Sequence, residues 1–186
     1  MNANQISDVA VYFNELYQGL EKQLEQAERV YRQLPTAALE KPSVTQGWNI
    51  VQCLDHLNSY YQHYLPRIAP AAENPDQHIG MVKSGWLGKY LCKMIDPDRG
   101  PKRYKAMKKH HPARKLDNIE VIEEFIRHSR ELKSLLEKLA TKNINCIRIQ
   151  SSIHPWISLR LSDTLSFLVL HNERHIRQGN RNLASN

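Results

Sequence analysis

The chain has 186 residues, 41% of them hydrophobic, which is enough for a single domain spanning 1–186 with a sizeable core. No apolar run reaches the roughly 18 residues of a membrane span, and the N-terminus lacks a basic-then-apolar leader, so a cytoplasmic protein is expected. The net charge of +7 is local: residues 99–116 hold eight Lys and Arg and no acid, while the remainder balances 18 basic against 19 acidic residues.

Ile6, Val9, Phe13, Leu16, Leu20, Leu24, Ala27, Tyr31 and Leu34 recur at spacings of three and four, the apolar stripe of a helix of about eight turns. Pro35 ends it, and Thr36 to Gly47 reads as a connection with at most a short turn. Asn49 and Gln52 form a capping box that opens a second helix, with Trp48 and Cys53 placed as a hydrophobic staple. Its inward face includes Cys53, His56, Leu57, Tyr60 and Tyr64, and Pro66 bends or ends it within a turn.

Between the second and third long helices, approximately 69–116, lies an insertion predicted to be a short helix followed by a basic loop. Val82, Trp86, Tyr90 and Met94 give the helix an apolar face; Trp86, Leu87, Tyr90 and Leu91 are too many large apolar groups to leave in water as one patch. The third long helix starts at Asp117, with Glu120 completing another capping box. Val121, Ile122, Phe125, Ser129, Leu132, Leu136 and Leu139 face inward.

Ile144, Cys146, Ile147 and Ile149 partly alternate like a strand, but Pro155 intervenes and no partner strand is evident, so 144–160 reads as an extended crossover. The last helix begins near Ser162, carries Thr164, Leu165, Leu168, His171, His175 and Gln178 on one side, and ends at Gly179. Four long one-sided helices imply an all-α four-helix bundle. The long connections leave room for the second and third helices to run parallel.

His171 and His175 lie one helical turn apart, roughly 6 Å along the axis, so both rings can reach one ion. His56 lies on a second apolar face that must pack against theirs. A lone histidine in such a setting is more often a hydrogen-bonded core imidazole; the trio favours a metal. Neutral imidazole suits zinc, nickel, copper or iron, so a divalent ion is expected, zinc or nickel first with iron or manganese as alternatives, and three such ligands leave a coordination position open for catalysis. Cys53 is either a fourth ligand or a small staple residue, with the staple favoured. Tyr60 and Gln178 are candidate catalytic or orienting groups beside the ion, and ordinary core roles remain open for both. His63 is roughly 10 Å along the helix from His56, too far to share its ion readily. His78, His110, His111, His128 and His154 read as surface histidines. The three cysteines, Cys53, Cys92 and Cys146, form no Cys-x-x-Cys pair, which argues against a disulfide scaffold.

Trp48, the run Gln52-Cys-Leu-Asp-His56-Leu and the run His171-Asn-Glu-Arg-His175-Ile-Arg-Gln178 resemble the DinB/YfiT-like superfamily of metalloenzymes, over nearly the whole chain. The resemblance implies up-down-down-up connectivity, a divalent metal ion on His56, His171 and His175, and homodimers in many members. It also implies thiol-dependent transfer or isomerisation with bacillithiol, mycothiol or glutathione. The long basic insertion departs from that pattern.

The leading expectation is therefore a metal-dependent S-transferase whose partners are a small thiol and a small electrophile. Its activity should fall as the pH drops through the histidine range near 6.5. One alternative is a hydrolase using metal-bound water. Another is a non-catalytic module gripping nucleic acid or an anionic membrane through 99–115; a solvated basic loop is the more ordinary reading of that segment.

Overall fold

In the computed structural model, residues 7–43, 47–99 and 106–184 are described. Four long helices make the frame: α1 (Val9–Glu25), α3 (Ile50–Ile68), α5 (Asn118–Leu139) and α6 (Leu161–Ala184), with the short α2 (Thr36–Leu39) and α4 (Trp86–Ile95) between them. Ile6 and residues 100–105 of the basic segment lie outside the described residues.

α5 and α6 each pack against both α1 and α3. Side-chain pairs give the directions. Glu21 meets Lys133, Glu28 meets Arg130 and Arg32 meets Glu123, so α1 and α5 run antiparallel. Tyr12 bonds Ser162 and Tyr31 bonds Ile176, so α1 and α6 run parallel. Asn58 bonds Val121 near the start of α5 and Glu73, beyond α3, meets Lys138 near the end, so α3 and α5 run parallel, as the long insertion permits. His56 faces His171 while Asn182 reaches back to Trp48, so α3 and α6 run antiparallel.

The apolar stripes close on one core. Leu16, Leu20, Tyr61, Phe125, Leu132 and Leu165 are each fully buried. One polar layer crosses it: Asn172 donates to Gln23 Oε1 at 3.0 Å and to the Tyr61 hydroxyl at 2.6 Å, and that hydroxyl lies 3.2 Å from Ser129 Oγ. Mutual satisfaction is what makes such a layer tolerable in a core.

Both N-caps form, but the reciprocal capping box closes only at Asn49 and Gln52; at Asp117 the expected return bond from the Glu120 side chain is not among the described contacts. Asn49 Oδ1 accepts from Gln52 N at 2.8 Å and Gln52 Oε1 from Asn49 N at 3.1 Å, while Asp117 Oδ1 accepts from Ile119 N and Glu120 N. Pro66 is accommodated inside α3. The first helix reaches Gln33, but through a π-turn (Gln26–Val30) and a 3₁₀ turn (Tyr31–Gln33). Ala27 and Tyr31 stay buried across that change of winding.

Three expectations are corrected. Residues 144–160 contain a hairpin, β3 (Arg148–Gln150) paired antiparallel with β4 (Ser158–Arg160), so the partner strand follows the turn at Pro155. A second antiparallel pair joins β1 (Ser7–Asp8) to β2 (Met81–Val82). Gly179 does not end α6; a Cβ there would stand 3.1 Å from Ile50 Cγ1 and 3.2 Å from the Tyr31 hydroxyl, so it is a packing glycine inside the helix. Finally, α4 buries Gly88, Leu91, Cys92 and Ile95 and leaves Trp86 and Tyr90 exposed, at 81% and 60%. The reason is Asp163, whose carboxylate accepts from Gly85 N at 2.9 Å and occupies the space that any side chain at position 88 would need.

Candidate metal centre

α3 and α6 place three imidazoles inside the bundle. His56, His171 and His175 are 2%, 5% and 8% exposed, and one ring nitrogen from each lies within 4.8 Å of the others. Hydrogen bonds fix which nitrogen it is. His56 Nδ1 is 2.6 Å from the His110 carbonyl, which only accepts, so Nδ1 carries the proton and Nε2 is the free donor atom. Gln178 Nε2 donates to the Trp48 carbonyl at 3.4 Å, which turns Oε1 toward His175 Nδ1 at 3.1 Å; His175 Nε2 is left free in the same way.

His56 Nε2 and His171 Nε2 stand 3.3 Å apart. Two ligands at about 2.0 to 2.1 Å from a tetrahedral ion are separated by roughly 3.3 Å, so this pair has the spacing of a shared cation. Two lone pairs facing at that distance repel unless a proton or cation lies between them. His171 Nδ1 is buried with no partner among the described residues. These observations fit a divalent ion on three Nε2 atoms. Cys53 does not join the group: it is buried, its thiol is pushed far up by desolvation, and its sulfur lies 3.9 Å from the Trp48 carbonyl.

Burial holds the imidazoles neutral. Desolvation lowers His56 to about 4, with His111 adding a smaller push in the same direction. His171 and His175 are driven well below the ordinary range, again by burial first and then by each other's neighbours: His175 and His56 act on His171, and His56 and Arg174 act on His175. Among the described residues, the three clustered groups are all imidazoles, and the Arg174 and Arg181 guanidiniums add positive charge beside His175. The local field therefore favours an anionic guest.

Aromatic rings make the walls. Trp48 lies 4.6 Å from the His56 ring and stacks on His175 at 5.8 Å; Tyr60 packs edge-on to His171 at 4.5 Å. No described residue hydrogen-bonds to the Tyr60 hydroxyl, which leaves it available to a guest. Gln178 has both ends of its amide engaged by His175 and Trp48, so it orients a ring. His63 is directed to the Gln150 carbonyl at 3.1 Å, away from the cluster.

Two histidines read as surface are buried. His128 is 4% exposed and faces Asn58 Oδ1 at 3.3 Å. His110, also 4% exposed, stacks on Tyr60 at 3.9 Å and touches the cluster through its carbonyl. Its 3₁₀ turn (Lys108–His110) sits in an irregular, basic segment where no periodicity marks an inward side, so only the fold reveals it.

The family model described as the DinB superfamily matches residues 20–178, a span that contains all three clustered histidines. Comparison with curated proteins and with solved structures returned no match.

Proposed function

From the premise that this chain belongs to the DinB superfamily, we propose that it is a metal-dependent enzyme that transfers a small thiol to a small electrophile. The observation that carries this reading is the convergence of three neutral imidazole nitrogens with no acidic ligand among them. His56, His171 and His175 would hold a divalent ion, zinc or nickel by donor type, with iron or manganese as alternatives. Such an ion supplies uncompensated positive charge that favours thiolate over thiol, the form that is nucleophilic.

The chain's own groups do the rest. The His110 carbonyl and Gln178 hold two of the imidazoles with Nε2 inward. Trp48, Tyr60 and Phe167 exclude water from the ring cluster, which strengthens every charge interaction inside it. Tyr60 is kept as a neutral phenol by burial and has a hydroxyl proton to offer an electrophile's oxygen or leaving group.

The test is a screen of metal-loaded protein with several thiols and electrophiles, run beside His56→Ala and His175→Ala. Thiol consumption that depends on electrophile and is lost in both variants is the expected result. Equal rates in wild type and both variants for every pair, with metal bound in the wild type, would reject thiol transfer; cleavage of an ester or amide without thiol would indicate a hydrolase.

A further inference from the structure

We propose that His110 is a positioning residue of this centre: by anchoring a turn of the basic insertion on α3, it holds a main-chain carbonyl against His56 Nδ1 and so fixes the tautomer that presents Nε2. The inference rests on the metal-centre reading above. It gives the insertion, which departs from the sequence pattern the chain otherwise resembles, a part in that centre.

Three contacts carry it. The Ser59 hydroxyl has a single hydrogen, and it donates to the His56 carbonyl at 2.6 Å. His110 Nδ1, 2.9 Å from the same Ser59 oxygen, must therefore be the donor to it, which fixes the ring's orientation and its Nδ1–H form. The ring then lies on Tyr60 at 3.9 Å with an interplanar angle of 23°. With the side chain clamped at Ser59 and Tyr60, the His110 carbonyl is delivered 2.6 Å from His56 Nδ1. A further tie holds the segment beyond the turn: Ala113 N donates to Asp55 Oδ2 at 2.9 Å. All these attachment points, Asp55 to Tyr60, fall within two turns of α3.

A neutral imidazole is free to carry its proton on either nitrogen, and the Nε2–H form cannot ligate through Nε2. Whatever fraction of His56 is in the wrong form reduces apparent metal affinity by that fraction. The carbonyl removes the wrong form, and His110 keeps the carbonyl in place.

The experiment uses metal-free full chain with ¹⁵N-labelled histidine, reading the His56 tautomer from long-range ¹H–¹⁵N correlations, and zinc affinity by competition with a chromophoric chelator. Wild type should show His56 protonated on Nδ1. His110→Phe keeps a stacking ring but loses the bond to Ser59; it should admit the Nε2–H form and bind zinc roughly ten-fold more weakly or worse. His110→Asn, which retains a donor for Ser59, should recover part of both. Ser59→Ala should move both readouts in the direction of His110→Phe, and it serves if that variant does not fold. A wild type that takes up no zinc overturns the metal centre and this role with it. A wild type that binds zinc and loses it in His171→Ala, while His110→Phe or Ser59→Ala keeps the tautomer and full affinity, overturns the role of His110 alone.

Discussion

His56, His171 and His175 are held by different means: His56 by a carbonyl from the insertion, His175 by a glutamine one turn on, and His171 by ring packing and its Nε2 contact with His56, its Nδ1 unpartnered among the described residues. Removing His171 should therefore abolish binding while leaving the bonds that orient His56 and His175 in place, whereas His175→Ala also frees the Gln178 Oε1. Gln178→Leu should weaken zinc affinity about ten-fold, checked by chelator competition; unchanged affinity would show that His175 needs no such support. The fall in activity expected near pH 6.5 moves lower, because burial keeps all three imidazoles neutral below their ordinary range. Stability follows the same sign. His56, His110 and His128 are each lowered to about 4 in the fold, while the unfolded chain takes up those protons near 6.5, so between these values the unfolded state binds more protons. The stabilisation from keeping them neutral is present above about pH 6.5 and lost as the pH falls toward 4. Thermal melts of metal-free protein should show Tm dropping across that window, and a flat Tm would contradict the burial argument. The clustering of the three histidines is legible in the sequence, since His171 and His175 share a helix face and His56 sits on a capped apolar stripe. His110 is not, because its role depends on a carbonyl and a loop path.

The elements carry their own signals to different degrees. Spacings of three and four and local caps are short-range properties, and α1, α3, α5 and α6 form where those signals lie. The β3–β4 hairpin leaves no clear sequence signal because its paired strands are three residues each, too short for alternation to show. The orientation of α4 is not legible in its own periodicity because the deciding feature is a glycine that admits Asp163 from another helix. A Cβ at Gly88 would lie 2.1 Å from Asp163 Cγ, so Gly88→Ala should destabilise by about 1–3 kcal/mol, read as a lower Tm. Wild-type stability in that variant would mean that α4 is not seated on Asp163. Asn49→Ala removes the capping box at the start of α3 and should cost about 1 kcal/mol by denaturant titration.

At the scale of the molecule, the histidine cluster lies where two antiparallel helices, α3 and α6, meet, while α1 and α5 close the bundle opposite each of them. The parallel course of α3 and α5 requires a long return, and the chain uses part of that return to brace His56. No described helix is long and apolar enough to cross a membrane. The basic charge concentrated in 99–116 reaches the centre through Lys108–His110, whose carbonyl end is structural while Lys108 and Lys109 remain exposed. The claim that organises all of this is that the three buried imidazoles hold one divalent ion. Elemental analysis of protein purified without an affinity-tag metal column, for wild type and His171→Ala in parallel, tests it most directly. The account predicts about one divalent ion per wild-type chain and a sharp loss in the variant; stoichiometric metal retained in His171→Ala, or a wild type that takes up none even when supplied with zinc and nickel, would contradict it.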